Sequence, residues 1–111
     1  CTVLIDKKAV RSCMVLVEDV AGKDIISIEG LSSNGVLHPI QKAFVNHDAM
    51  QCGFCTSGMI MNAYGLLLRN PKPSRAEILN GMEENLCRCG SYNRIVDAIE
   101  TAADAMNQKT K

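Results

Sequence analysis

Two cysteine pairs constrain this chain more than any other feature. Cys52-Gly53-Phe54-Cys55 is spaced C-x2-C, and Cys87-Arg88-Cys89 is spaced C-x-C. Cysteines in C-x-C are poorly placed to bond each other and well placed to grip one ion or cluster. Six cysteines in 111 residues signal disulfides, metal or redox chemistry. A disulfide framework suits small secreted domains with too little core. Here 47% of residues are apolar, and their spacing supports a helical core without staples.

Charge narrows the classes further. Twelve Lys and Arg balance twelve Asp and Glu, whereas a nucleic-acid grip needs a clustered basic excess. The longest apolar run, Met59 to Leu68, is interrupted by Asn62 and Gly65 and falls short of a membrane span. The chain starts at Cys1 without an initiator Met and runs straight into Thr2-Val3-Leu4-Ile5. It therefore reads as cut from something longer, with any targeting signal upstream.

The first thirty residues read as β. Thr2 to Ile5 is a short apolar strand, Asp6-Lys7-Lys8 a polar turn, Ala9-Val10-Arg11 a resumption, and Ile25 to Ile28 a further β-branched run. Cys13 to Val20 is ambiguous between strand and helical turn. Gly30 to Gly35, rich in Gly, Ser and Asn, is the candidate linker. Beyond it the period turns helical. Pro39 suits a first helical position, and Ile40, Phe44 and His47 carry a helix to about Met50. Ser57 onward, with Ile60, Ala63, Tyr64 and Leu67, forms a second helix ending before Pro71. Ser74-Arg75-Ala76-Glu77 is a capping box opening a third, with Ile78, Leu79, Met82 and Leu86 as its buried stripe. A fourth carries Ile95, Val96, Ile99, Ala103 and Met106 before a fraying tail, Gln108 to Lys111. Four short helices with short connections should pack as a small bundle.

Both cysteine pairs then fall at helix N-termini, where free N–H groups and the positive dipole end stabilise thiolates. Gly53 and Gly90 are expected to let the backbone approach sulfur without a β-carbon in the way. Arg88 places a cation beside a site that would carry about two negative charges with four thiolates on a diferric cluster. Three readings fit the four cysteines: an iron–sulfur cluster, a structural zinc site with the same ligand count, or a dithiol enzyme. Zinc ligands usually sit on knuckles in small β-rich modules, and a thioredoxin-like dithiol needs a βαβ context that is missing here.

Gln51-Cys52-Gly53-Phe54-Cys55-Thr56-Ser57-Gly58-Met59 and Asn85-Leu86-Cys87-Arg88-Cys89-Gly90-Ser91-Tyr92 resemble the helical-domain signature of the molybdenum hydroxylases. The likeness is to that family's small iron–sulfur subunit, which serves xanthine dehydrogenases, aldehyde oxidoreductases and carbon monoxide dehydrogenase among others. It extends over essentially the whole chain. Cys1-Thr2-Val3-Leu4 resembles the end of the subunit's plant-type motif, Arg11-Ser12-Cys13 its fourth-ligand site, and His38 to Phe44 its lead-in to the helical domain.

The resemblance implies an α+β fold in two parts. Residues 1–33 would be the C-terminal part of a ferredoxin-like β-grasp domain, and 36–107 a four-helix domain holding its own [2Fe–2S] cluster. It makes Cys52, Cys55, Cys87 and Cys89 the helical-domain ligands, and Cys1 and Cys13 half of a second, ferredoxin-type set. Two thiolates cannot close a four-thiolate site. Gln51 and Cys89 would meet the pterin, with Gly53, Arg88 and Gly90 around the cluster. Electrons would pass from a molybdopterin-binding large subunit through the clusters to FAD on a medium subunit. The expected compartment is the cytoplasm, with the periplasm as the alternative. Ser57 and Asn93 stand where the family commonly has Pro, and Ser57 is expected to cap the second helix.

Simpler roles cover the remaining candidates. His47 is a core or cap residue and His38 a helix-start residue. The methionines are mostly core gap-fillers, and Tyr64 and Tyr92 are packing residues. Arg75, Glu77, Glu83 and Glu84 form an exposed helix face.

Overall fold

A tight hairpin opens the chain. Strands β1 (Thr2–Ile5) and β2 (Lys8–Arg11) pair antiparallel, with Thr2 opposite Arg11 and Ile5 opposite Lys8. Asp6 and Lys7 turn between them at φ 49° and 70°. A two-residue loop needs this left-handed pair because its twist then matches the strands. Lys8, expected in the turn, therefore belongs to β2. The computed structural model describes the backbone of residues 1–109 and the side chains of 1–107. In it β3 (Ile25–Ile26) joins the other edge of β1, giving the antiparallel order β2–β1–β3. The ambiguous segment resolves into two 3₁₀ turns, Ser12–Met14 and Val17–Val20, with no buried residue in either.

The candidate linker is more structured than its composition suggests. Leu31 is buried in the core. Ser33 and Val36 exchange backbone hydrogen bonds of 3.0 and 2.9 Å around Asn34 and Gly35, both at positive φ. This is a second two-residue turn of the Asn-Gly kind.

Helix α1 (Pro39–Asn46) starts where Pro39 predicts. His38 caps it: Nδ1 accepts from the Ile40 N–H at 3.2 Å, and the Gln41 side chain accepts from the His38 N–H at 2.9 Å. The helix ends earlier than Met50. His47 is its C-cap, Asp48 turns left-handed at φ 50°, and the Ala49 N–H reaches back to the Phe44 carbonyl at 2.9 Å. That six-to-one bond closes the orphan carbonyls and buries Ala49.

Helices α2 (Thr56–Arg69), α3 (Arg75–Gly81) and α4 (Tyr92–Lys109) complete the bundle. The Ser74–Glu77 capping box forms in both directions, at 3.2 and 2.8 Å. The expected stripe of α3 is half wrong. Ile78 and Met82 are buried, but Leu79 is 54% and Leu86 78% exposed. The helix stops at Gly81 after seven residues, so its period never reaches Leu86. Arg75 is not merely on an exposed face: it bridges to Asp97 and Glu100 of α4 at 3.1 and 2.6 Å. The fraying expected at Gln108 to Lys111 lies outside the described residues at Thr110 and Lys111, and α4 continues to Lys109.

One core joins helices and sheet. Phe44, Ile40, Met59, Met61, Ile78, Ile95 and Ile99 fill it, and Leu4 of β1 enters from the hairpin. The hairpin can come this close because α2 carries Gly65 at the contact. A β-carbon there would stand 3.0 Å from the Ala9 β-carbon and 3.2 Å from the Ala9 nitrogen. Met14 is the exception among the expected gap-fillers, at 80% exposure.

Candidate metal centre

Local backbone geometry places both thiol pairs at helix starts. Cys55 occupies the N-cap of α2, and Cys87 and Cys89 lie in the turn before α4. Ser57 is therefore inside the first turn rather than capping it. Gly53 and Gly90 have φ of 83° and 79°, a conformation that glycine adopts without cost. Beyond the flanking residues, a β-carbon at either would meet no atom within 4 Å. Backbone handedness by itself favours glycine at both positions.

The fold brings the two motifs together. The Cys55 and Cys87 thiols lie close enough to act on each other, and their acidities separate. Burial, then the Cys87 sulfur, pushes Cys55 up to about 11. The Ser91 N–H, with help from Cys55 and the Gly90 N–H, holds Cys87 down at about 7 against its burial. The buried Ser91 hydroxyl makes no full hydrogen bond, though it also favours the Cys87 thiolate. The Phe54 N–H lies 3.5 Å from Cys52 Sγ. Gln51 Nε2 reaches the Cys89 carbonyl at a long 3.5 Å, so the two expected pterin contacts are neighbours.

Tyr92 does more than pack. Its hydroxyl accepts the Cys87 N–H at 2.7 Å, fixing the peptide that carries a thiol. The signal in the sequence was an aromatic hydroxyl at the first position of the helix after C-x-C. Cys1 and Cys13 sit apart on the hairpin, exposed, with sulfurs 3.3 Å from each other. All six cysteines are free thiols.

Among the described residues, no three His, Cys, Asp or Glu side chains converge as the ligands of a single ion would. A [2Fe–2S] cluster asks something different, since its four thiolates are shared between two irons bridged by sulfide. Four thiols in two pairs meeting through Cys55 and Cys87, with N–H groups of Phe54, Gly90 and Ser91 set on their sulfurs, suit such an anionic centre. The strands are antiparallel throughout, so the βαβ setting of a dithiol enzyme is absent among the described residues. No described helix is long and apolar enough to cross a membrane.

The fold is an α+β domain with thiol pairs at the starts of α2 and α4, backed by sulfur-directed N–H groups. The chain belongs to the [2Fe-2S] binding domain family, which matches residues 27–100. It is 45% identical over 109 residues to the nicotine 6-hydroxylase small subunit of Paenarthrobacter nicotinovorans, covering 98% of this chain and 66% of that one. The quinoline 2-oxidoreductase structure from Pseudomonas putida 86 superposes with a TM-score of 0.90 at 44% identity, over 97% of this chain and 68% of that one. Aldehyde oxidoreductase from Desulfovibrio gigas gives 0.92 at 43% identity, over 98% of this chain and 12% of that one. The chain thus spans 66% of the length of the first of these. The resemblance to the small iron–sulfur subunits of molybdenum hydroxylases stands, and a structural zinc module is not favoured.

Proposed function

We propose that this chain is the electron-transfer iron–sulfur part of a molybdopterin-dependent hydroxylase, with Cys52, Cys55, Cys87 and Cys89 ligating one [2Fe–2S] cluster. The carrying observation is the contact between the Cys55 and Cys87 thiols, which unites the two motifs at the starts of α2 and α4. When bound, the cluster supplies one-electron storage. The chain's own residues supply its surroundings. Both helix N-termini point positive ends at the site, the N–H groups of Phe54, Gly90 and Ser91 are set on sulfur, and Arg88 adds a cation. Such groups tune potential.

Gln51 and Cys89 are proposed as the edge facing the pterin, in keeping with their contact. Phe54 and Leu86, 95% and 78% exposed beside the thiols, support burial of this face against a molybdopterin-binding large subunit. Cys1 and Cys13 are read as half of a ferredoxin-type site within residues 1–33, with 36–107 as the helical cluster domain. The apolar groove on the sheet, lined by Val3, Ile5, Leu16, Val17 and Ile25, favours a larger β domain there. Onward transfer to FAD on a medium subunit, and a cytoplasmic setting, complete the reading.

Substitution divides the ligands. Cys89→Ala should abolish or severely weaken iron binding by the reconstituted chain, whereas Cys13→Ala should leave its iron content unchanged. Equal iron loss from both variants would contradict the division.

A further inference from the structure

A single side chain ties the hairpin to the loop before Cys87. Arg11 ends β2, and its Nη2 donates to the Glu84 carbonyl at 2.7 Å. Glu84 lies in the irregular stretch between the end of α3 at Gly81 and Cys87. The same stretch is held from α2. Asn62 commits its side-chain amide there, donating from Nδ2 to the Gly81 carbonyl at 3.1 Å and to Asn85 Oδ1 at 2.5 Å. About one turn earlier, α2 passes beside both segments at Gly58, where a β-carbon would make ordinary contacts of 3.5 Å with Thr2 Oγ1 and 3.6 Å with Asn85 Nδ2.

Arg11 is also the first of three consecutive residues with separate attachments. Ser12 donates both its N–H and its hydroxyl to the Cys1 carbonyl, each at 2.8 Å. Cys13 then sets its sulfur 3.3 Å from that of Cys1. The run Arg11-Ser12-Cys13 therefore links the exposed thiol pair to a carbonyl three residues before Cys87 through short hydrogen bonds.

We propose that Arg11 is a positioning residue that fixes the spacing between the Cys1/Cys13 thiols and the Cys87/Cys89 thiols, and so the coupling of the centres they serve. This rests on the ligand reading above. Electron transfer weakens steeply with separation, so a loop released from the hairpin alters coupling without losing a ligand. Two observations favour position over charge. The acceptor is a neutral carbonyl, and the uncharged Asn62 holds the same loop from α2.

The test uses Arg11→Met, which keeps the stem and removes the donors, and Arg11→Lys as the conservative rescue. In the cluster-free chain, amide hydrogen exchange at Asn85, Leu86 and Cys87 should quicken in Arg11→Met, while protection of Ile95 to Ala103 in α4 stays unchanged. In the assembled, iron-loaded oxidoreductase with both centres reduced, the magnetic splitting between them should change in Arg11→Met and return in Arg11→Lys. Unchanged splitting in Arg11→Met overturns the proposal, even with quickened exchange. So does a shift of reduction potential with the splitting intact, which marks a charge effect. Should Arg11→Met unfold, Asn62→Ala frees the same loop and carries the same two outcomes. An unsubstituted assembly that binds no iron would instead defeat the ligand reading itself.

Discussion

At the residue scale, Cys87 is the most heavily managed group in the chain. Its N–H goes to the Tyr92 hydroxyl, and its sulfur faces the Ser91 and Gly90 N–H groups and the Cys55 thiol. The cysteines were legible as ligand candidates because thiolate ligation restricts residue type and spacing. Their supports were not legible, since a tyrosine hydroxyl or a backbone N–H carries no sequence mark of what it will meet. The acidities have a consequence for the cluster-free chain. Cys87 ionises near 7 when folded and near 9 otherwise, so between these values the unfolded state holds the extra proton. Stability should rise from pH 7 to 9, and this contribution is lost as pH falls through 7. Cys55 acts oppositely, retaining its proton to about 11 when folded, so stability should fall between pH 9 and 11. Urea denaturation across this range should show a maximum near pH 9, and Cys87→Ser should remove the rising limb. A flat profile in the unsubstituted chain would show that these thiols are not coupled as described.

At the element scale, the helix starts were readable, as was the end of α2 before Pro71, but the ends of α1 and α3 were not. Pro39 and the Ser74–Glu77 box announce N-termini through local chemistry that needs no tertiary partner. The early stop of α1 depends on Asp48 adopting a left-handed conformation, a choice made by the packing of Ala49 beneath it. The stripe fails at Leu86 because the chain leaves the helix at Gly81 for the thiol-bearing loop, and at Leu79 because that residue, within α3, faces solvent beside the buried Ile78. The junction of α2 with the hairpin offers a direct test. Gly65→Ala gains roughly 1 kcal/mol of helix propensity. It also forces a β-carbon against the Ala9 nitrogen and the Leu4 side chain, both at 3.2 Å. Backbone and a fully buried leucine yield poorly, and overpacking of this kind costs about 1–3 kcal/mol. A net loss of about 1 kcal/mol in chemical denaturation is expected. A more stable Gly65→Ala would mean that the hairpin is not seated on α2.

For the molecule as a whole, the sequence conveyed a helical domain behind a β segment, but not that the two share a core. Leu4 and Leu31 lie in the same apolar cluster as Phe44 and Ile99. Arg11 from the hairpin and Asn62 from α2 both reach the loop before Cys87. These are long-range encounters, set by how elements dock, and no local pattern encodes them. On the function proposed above, the exposed apolar residues near the thiols and on the sheet are where the chain would meet the rest of an oxidoreductase. All of this rests on the identity of what the four thiols hold. The most direct measurement is anaerobic reconstitution of the chain with iron and sulfide, followed by elemental analysis and paramagnetic resonance after reduction. A red-brown protein with about two iron and two sulfide per chain and a rhombic [2Fe–2S] signal is predicted. A colourless protein retaining one stoichiometric zinc would contradict the account.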